Sequence, residues 1–100
     1  MRQGELWWAV LDKRRPVLVV TRTEAIEVLN SVIVAPGTST LRRIPTEVLA
    51  GAEEGLASET AFSFDNLATV PKSMLAARIG QLGPAGRSAM CNAVSAALDC

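Results

Sequence analysis

One hundred residues, 49% of them apolar, suffice for one hydrophobic core and are too few for two, so the chain reads as a single domain over residues 1–100. Ten Lys and Arg balance ten Asp and Glu, and a formal net charge of zero argues against a uniformly basic nucleic-acid-binding surface. With no histidine and only Cys91 and Cys100 as thiols, the composition excludes a histidine-pair catalyst and offers neither a zinc site nor a disulfide framework.

Gly4 to Leu11, with aromatic and aliphatic residues in succession, reads as a first strand. Asp12 to Arg15 then forms a tight turn. Pro16 opens a second strand over Val17 to Thr21, since a proline at the first strand position removes no ladder bond needed further in. Thr23 as N-cap, followed by Ala25, Ile26, Val28 and Leu29, predicts one or two helical turns that stop at Asn30. Ser31 to Ala35 is a third strand, after which Pro36-Gly37-Thr38-Ser39-Thr40 supplies a turn rich in hydroxyls.

A fourth strand is expected from about Ile44 to Leu49, with Pro45 placing it at an edge, and Ala50 to Gly55 is read as a surface loop. Ala61 to Phe64, Leu67 to Val70 and Ile79 to Leu82 give further short strands around a helical turn at Ser73 to Ala77. Pro84 is pre-set for the first position of a helix, in which Met90, Ala93, Val94, Ala97 and Leu98 share one face. The fold class is therefore mainly β with some helix (α+β): a small SH3-like β-barrel with a short helical turn and a C-terminal helix.

The longest apolar run, Leu6 to Leu11, falls far short of the ~20 residues of a membrane helix, and the N-terminal Arg2-Gln3-Gly4-Glu5 is no secretory signal. A reduced cytoplasm is expected, with Cys91 packing as a small apolar residue and Cys100 a free thiol. Charge is unevenly spread: Lys13-Arg14-Arg15 and Arg42-Arg43 are basic, Glu24, Glu27 and Glu53-Glu54 acidic. Local field matters more than the sum.

Two buried-strand patterns each abut groups suited to a phosphate. Arg15 stands at the mouth of the strand Arg15-Pro16-Val17-Leu18-Val19-Val20, and Thr38 and Ser39 follow Val32-Ile33-Val34-Ala35-Pro36-Gly37. Together with Gly4-Glu5-Leu6-Trp7-Trp8, Asp65-Asn66-Leu67-Ala68-Thr69-Val70 and Arg78-Ile79-Gly80, these segments make the chain resemble the MazF/PemK-type toxins of bacterial toxin–antitoxin pairs. The resemblance runs from Gly4 to the final helix, and it is the order and spacing of short motifs that carries it. It implies a sequence-selective endoribonuclease of single-stranded RNA, a homodimer, and inhibition by a cognate antitoxin protein. It implies no metal and no cofactor.

Cleavage of RNA by attack of a 2′-hydroxyl on the adjacent phosphorus needs a group that takes a proton, one that neutralises phosphorane oxygens and one that protonates the departing oxygen. Arg15 suits the second role, because a guanidinium donates to two phosphate oxygens at once and stays charged, and Pro16 restrains the backbone next to it. Thr38 can donate a further hydrogen bond. The resemblance assigns the same two residues, Arg15 and Thr38, as the catalytic pair. Arg14, Ser39, Thr40, Arg42, Asp65 and Asn66 are expected to contact RNA, the last two by offering acceptors and donors to a splayed base. Trp7 and Trp8 are able to stack on bases, but at least one is expected in the core. The general base stays open among Glu24, Asp65 and the backbone.

The chain departs from the family pattern in two places. Ala68 stands where members often carry an arginine, Pro71 stands where they carry a polar residue, and the first turn is shorter than their long loop. These changes bear on which RNA is read and on how RNA and antitoxin are gripped. Two other readings keep the fold: a toxin acting by binding, like the gyrase poisons of the CcdB type, and a degenerate binding domain. The first relies on a terminal Trp-Gly-Ile, whereas this chain ends Ala-Ala-Leu-Asp-Cys with no tryptophan beyond Trp8.

Overall fold

The computed structural model describes residues 1–98. In chain order the elements are β1 (Glu5–Val10), β2 (Arg14–Val19), α1 (Thr23–Ile26), β3 (Ser31–Thr38), β4 (Glu47–Ala50), β5 (Thr60–Ser63), β6 (Ala68–Pro71), β7 (Leu75–Gln81) and α2 (Pro84–Ala97). Three 3₁₀ turns, Ala52–Glu54, Phe64–Asn66 and Lys72–Met74, link the later strands. The strands make an antiparallel sheet in the order β4-β5-β3-β2-β1-β7, with β6 added to β3 beside β5. This curled, half-barrel sheet with a C-terminal helix matches the expected fold class.

Curling lets both faces of the β-branched strands be buried, each in its own cluster. One cluster gathers Leu6, Leu18, Ala35, Val48, Phe62 and Phe64 with Met90 and Ala93 of α2. The other gathers Ala9, Val17, Val19, Val32 and Val34 with Ile26, Val70 and Leu75. Adjacent residues of β2 and β3 therefore serve opposite cores, which is why those strands read as continuous apolar runs rather than alternating ones. Pro84 starts α2 as expected; Met90 and Ala93 are buried, but Leu98 lies past the helix end and is 61% exposed.

Several boundaries differ from expectation, each through pairing that local sequence does not display. Arg14 and Arg15 belong to β2 rather than to a turn, because they pair with Val10 and Ala9, ahead of the Pro16–Trp8 pair. The β3 ladder begins only at Val17, so Pro16 sits where that edge of β2 carries no pairing. Pro36, Gly37 and Thr38 extend β3: Pro36 pairs Val17, while Gly37 and Thr38 pair Phe62 and Ala61 of β5. Ile44 and Pro45 lie in the connection before β4, not in a strand. The segment read as a helical turn at Ser73 to Ala77 is shorter, Lys72–Met74, and β7 begins at Leu75 to pair with β1.

Thr23 does not cap α1. Its Oγ1 instead accepts the Gln3 backbone N–H at 3.0 Å, tying the N-terminal segment to the end of β2, and Arg22 occupies the cap position. Cys91 faces outward from α2 and is exposed, contrary to the packing role expected of it. Cys100, expected as a free thiol, lies outside the described residues.

Candidate active site

The β1–β2 hairpin closes tightly after the Val10–Arg14 pair, with Asp12 Oδ1 accepting the Lys13 N–H at 2.9 Å and the Lys13 carbonyl accepting the Leu11 N–H at 3.2 Å. Asp12 is held below its ordinary carboxylate range, chiefly by that Lys13 N–H and further by the charges of Arg15 and Lys13. Arg15 reaches the same carboxylate, with Nε 3.7 Å from Asp12 Oδ1, and its side chain is 34% exposed. So exposed a pair contributes little to stability, and an arriving phosphate can compete for the guanidinium.

Thr38 is the last residue of β3 and pairs with Ala61. The β2–β3 register joins Val17 to Pro36, and continuing it by two residues sets Arg15 opposite Thr38. Directly opposed residues of an antiparallel pair share a face and lie about 4.5–5.5 Å apart at Cα. The Gly37–Pro16 contact between them confirms that the strands stay close, since a Cβ on Gly37 would come within 2.9 Å of the Pro16 carbonyl oxygen. The register so continued puts the two residues that sequence reasoning paired on one face of the sheet. Thr38 Oγ1 accepts the Thr40 N–H at 3.2 Å, which leaves its own hydrogen free to donate.

Across the sheet the same face continues from Pro36 to Ser63 of β5 and Glu47 of β4. Glu47 is buried, and its Oε1 accepts the backbone N–H groups of Arg42 (3.1 Å) and Arg43 (3.2 Å). Both amides turn toward one oxygen, and Arg43 there has a left-handed backbone, φ 56°, which a non-glycine residue adopts rarely. The connection between Thr38 and β4 is thus latched from beneath by a carboxylate, with Arg42 exposed upon it. Ser39 and Thr40 are exposed at its start.

Asp65 and Asn66 stand farther along. Asp65 accepts the Thr46 hydroxyl at 2.6 Å, and Asn66 Nδ2 donates to Ser63 Oγ at 3.1 Å. Both are exposed, in the 3₁₀ turn that follows Ser63. Glu24, one of the open choices for a base, lies in α1 past the end of β2 remote from Arg15.

Arg14 belongs to the opposite face. Its guanidinium lies over the Trp8 ring, 4.9 Å from the centroid. Trp8, Pro16, Gly37, Thr38, Ser58 and Thr60 surround a cleft of about 210 Å³ there. Ala57, Ser58 and Thr60 were not foreseen in this region, because only the β3–β5 pairing brings their segment to β3.

Nearer the other edge, Glu5 forms a buried hub. Its Oε1 accepts the Arg2 N–H (2.9 Å) and the Trp7 indole N–H (3.0 Å), while Oε2 accepts Arg78 Nε at 3.0 Å. Burial raises the Glu5 pKa, but the Trp7, Arg2 and Arg78 hydrogen bonds and the Arg78 charge outweigh it and hold the carboxyl below its ordinary value of 4.5. Among the described residues no group of three or more His, Cys, Asp or Glu side chains is arranged to hold a metal ion, and no helix is long and apolar enough to cross a membrane.

Comparison with known proteins supplies a family for this geometry. The model of the PemK-like, MazF-like toxin of type II toxin-antitoxin system matches residues 2–98. The probable endoribonuclease MazF5 of Mycobacterium tuberculosis is 35% identical over 101 residues, covering 98% of this chain and 93% of that protein. Among solved structures, the Mycobacterium tuberculosis toxin MazF-mt6 superposes with a TM-score of 0.89 at 39% identity, covering 95% of this chain and 96% of that one. An endoribonuclease in complex with its cognate antitoxin, from a mycobacterial species, superposes with a TM-score of 0.87 at 26% identity, covering 98% and 94%. With the whole described chain accounted for by one toxin family, from the first strand to the last helix, the protein belongs to the PemK-like, MazF-like toxins of type II toxin–antitoxin systems.

Proposed function

We propose that this chain is a toxin endoribonuclease that cuts single-stranded RNA without a metal, using Arg15 and Thr38, and that it works as a cytoplasmic homodimer silenced by a cognate antitoxin. The observation carrying this reading is the β2–β3 register, whose Val17–Pro36 pair, continued by two residues, puts Arg15 and Thr38 on one face. Membership of the toxin family and relatives named as endoribonucleases support it, and they favour cutting over a purely binding toxin. The antitoxin complex of a structural relative supports the partner. An exposed free Cys91 suits a reducing compartment.

In the reaction, the 2′-oxygen of one nucleotide attacks the neighbouring phosphorus as its proton is removed. The bond to the 5′-oxygen breaks, and that oxygen takes up a proton, leaving a 2′,3′-cyclic phosphate and a 5′-hydroxyl. Arg15 holds two non-bridging oxygens and opposes the charge that builds on them, while the Thr38 hydroxyl donates to the same phosphate. The ion pair with Asp12 keeps the guanidinium at the strand mouth before substrate arrives.

The test uses purified protein freed of antitoxin, incubated with total RNA in excess chelator. Products with 5′-hydroxyl ends that disappear with Arg15→Ala are the expected outcome. Intact RNA with the wild-type protein, or equal cutting by Arg15→Ala, overturns the proposal.

A further inference from the structure

The ion pair between Asp12 and Arg15 has a direction. Asp12 Oδ1 comes closest to Nε, at 3.7 Å, on the flank of the guanidinium rather than at its head. Among the described residues, Nη1 and Nη2 of Arg15 make no hydrogen bond. The carboxylate is itself anchored from the other side: the same Oδ1 accepts the Lys13 N–H at 2.9 Å, and the Leu11 N–H donates to the Lys13 carbonyl at 3.2 Å to close the hairpin around it. The Lys13 N–H and the nearby cations hold Asp12 in its charged form. Because the hairpin is short, this anchored anion lies only three residues before Arg15.

Resting on the nuclease reading, we infer that Asp12 is a positioning residue for the cleavage step: it grips Arg15 by the flank throughout the reaction, so that the Nη donors are the end presented to the phosphate. A guanidinium can take two anions at once, because its N–H donors lie along more than one edge. A phosphate docking on the Nη edge competes with Asp12 for charge but not for a nitrogen. Two opposed effects come from the one carboxylate. It restrains a long side chain that would otherwise sweep, and so raises the fraction of bound RNA held in a reactive geometry. It is also a negative charge beside the scissile phosphate, and so weakens the attraction of RNA to the site. Orientation is gained and affinity lost, a combination that a side chain serving only to shape the turn does not produce.

The experiment measures kcat and KM on one labelled RNA for the wild-type protein, Asp12→Asn and Asp12→Glu. Asparagine keeps an oxygen for the Lys13 N–H, and with it the turn, while deleting the charge; glutamate keeps the charge on a longer stem. Asp12→Asn is expected to lower kcat about tenfold through lost orientation. It is also expected to lower KM about two- to fivefold, the scale of one exposed charge pair. Asp12→Glu should recover part of kcat and return KM to that of the wild type. An Asp12→Asn protein with unchanged kcat, or with a KM that does not fall, overturns the positioning role and leaves the nuclease reading intact. RNA left uncut by the wild-type protein overturns both.

Discussion

Continued two residues beyond the Val17–Pro36 pair, the β2–β3 register puts Arg15 and Thr38 on one face of the sheet. Neither belongs to a flexible loop: Arg15 is paired with Ala9, and Thr38 with Ala61. Each member of the proposed catalytic pair is thus held by a ladder, so little backbone ordering remains when a phosphate arrives. A guanidinium and a hydroxyl held so are matched in geometry, and substitutions that preserve charge alone should fail.

Arg15→Lys is therefore expected to lose about 10²–10³ in kcat, close to the loss in Arg15→Ala, because an ammonium cannot hold two phosphate oxygens in the plane of a fork. Thr38→Val, which keeps the shape and deletes one neutral donor, should lose about tenfold. Initial rates on one labelled RNA, with circular dichroism to verify folding, check both. Full activity in Arg15→Lys would show that only charge is needed.

Gly37 precedes Thr38 in β3 and points to the opposite face, against Phe62. A Cβ there would come within 2.9 Å of Phe62 Cε1, the Pro16 carbonyl oxygen and Thr60 Cγ2, two of which cannot retreat without moving strand or core. Gly37→Ala should cost about 1–3 kcal/mol, read as a lower urea midpoint with an unchanged slope, and should lower activity through displacement of Thr38.

The strands around these residues were readable where burial on both faces leaves β-branched runs, as in Val17 to Val19 and Val32 to Ala35. The continuation of β3 through Pro36 and Gly37 was not. It depends on β5, which takes over from β6 along the edge of β3 away from β2, and long-range pairing leaves no local mark. The segment around Ile44 looked like a strand because its apolar residues go unopposed in the sequence, whereas the latch that bends it, Glu47 to two backbone amides, involves no partner side chain at all. Cys91 was misjudged by composition alone. One position along a helix from the buried Met90 it turns about 100° away from the core.

Glu5 gives a pH signature. Its folded-state pKa lies below the ordinary 4.5, so its contribution to stability is complete above that value and is lost as pH falls through the folded-state value. Glu5→Gln should lower the thermal midpoint at pH 7 by the equivalent of about 1–3 kcal/mol, and the gap to wild type should close below pH 4.5. Paired melts across pH 3 to 8 provide the check; a gap that persists unchanged at the acid end removes the carboxylate from this role.

Glu47 governs the connection that follows Thr38. Its Oε1 satisfies two backbone amides, while Oε2 is buried with no hydrogen-bond partner among the described residues, so the group is retained for its grip on Arg42 and Arg43 despite an unsatisfied atom. Glu47→Ala leaves both amides without an acceptor, one of them in the left-handed backbone at Arg43. A loss of about 1–3 kcal/mol is expected, together with faster tryptic cutting after Arg42 and Arg43 under native conditions. Glu47→Gln, which keeps an acceptor oxygen, should lie between wild type and alanine in both measurements. Because the same connection carries Ser39, Thr40 and Arg42, the alanine variant should also raise KM for RNA more than it lowers kcat. Native proteolysis indistinguishable from wild type would mean that the connection keeps its shape without the latch.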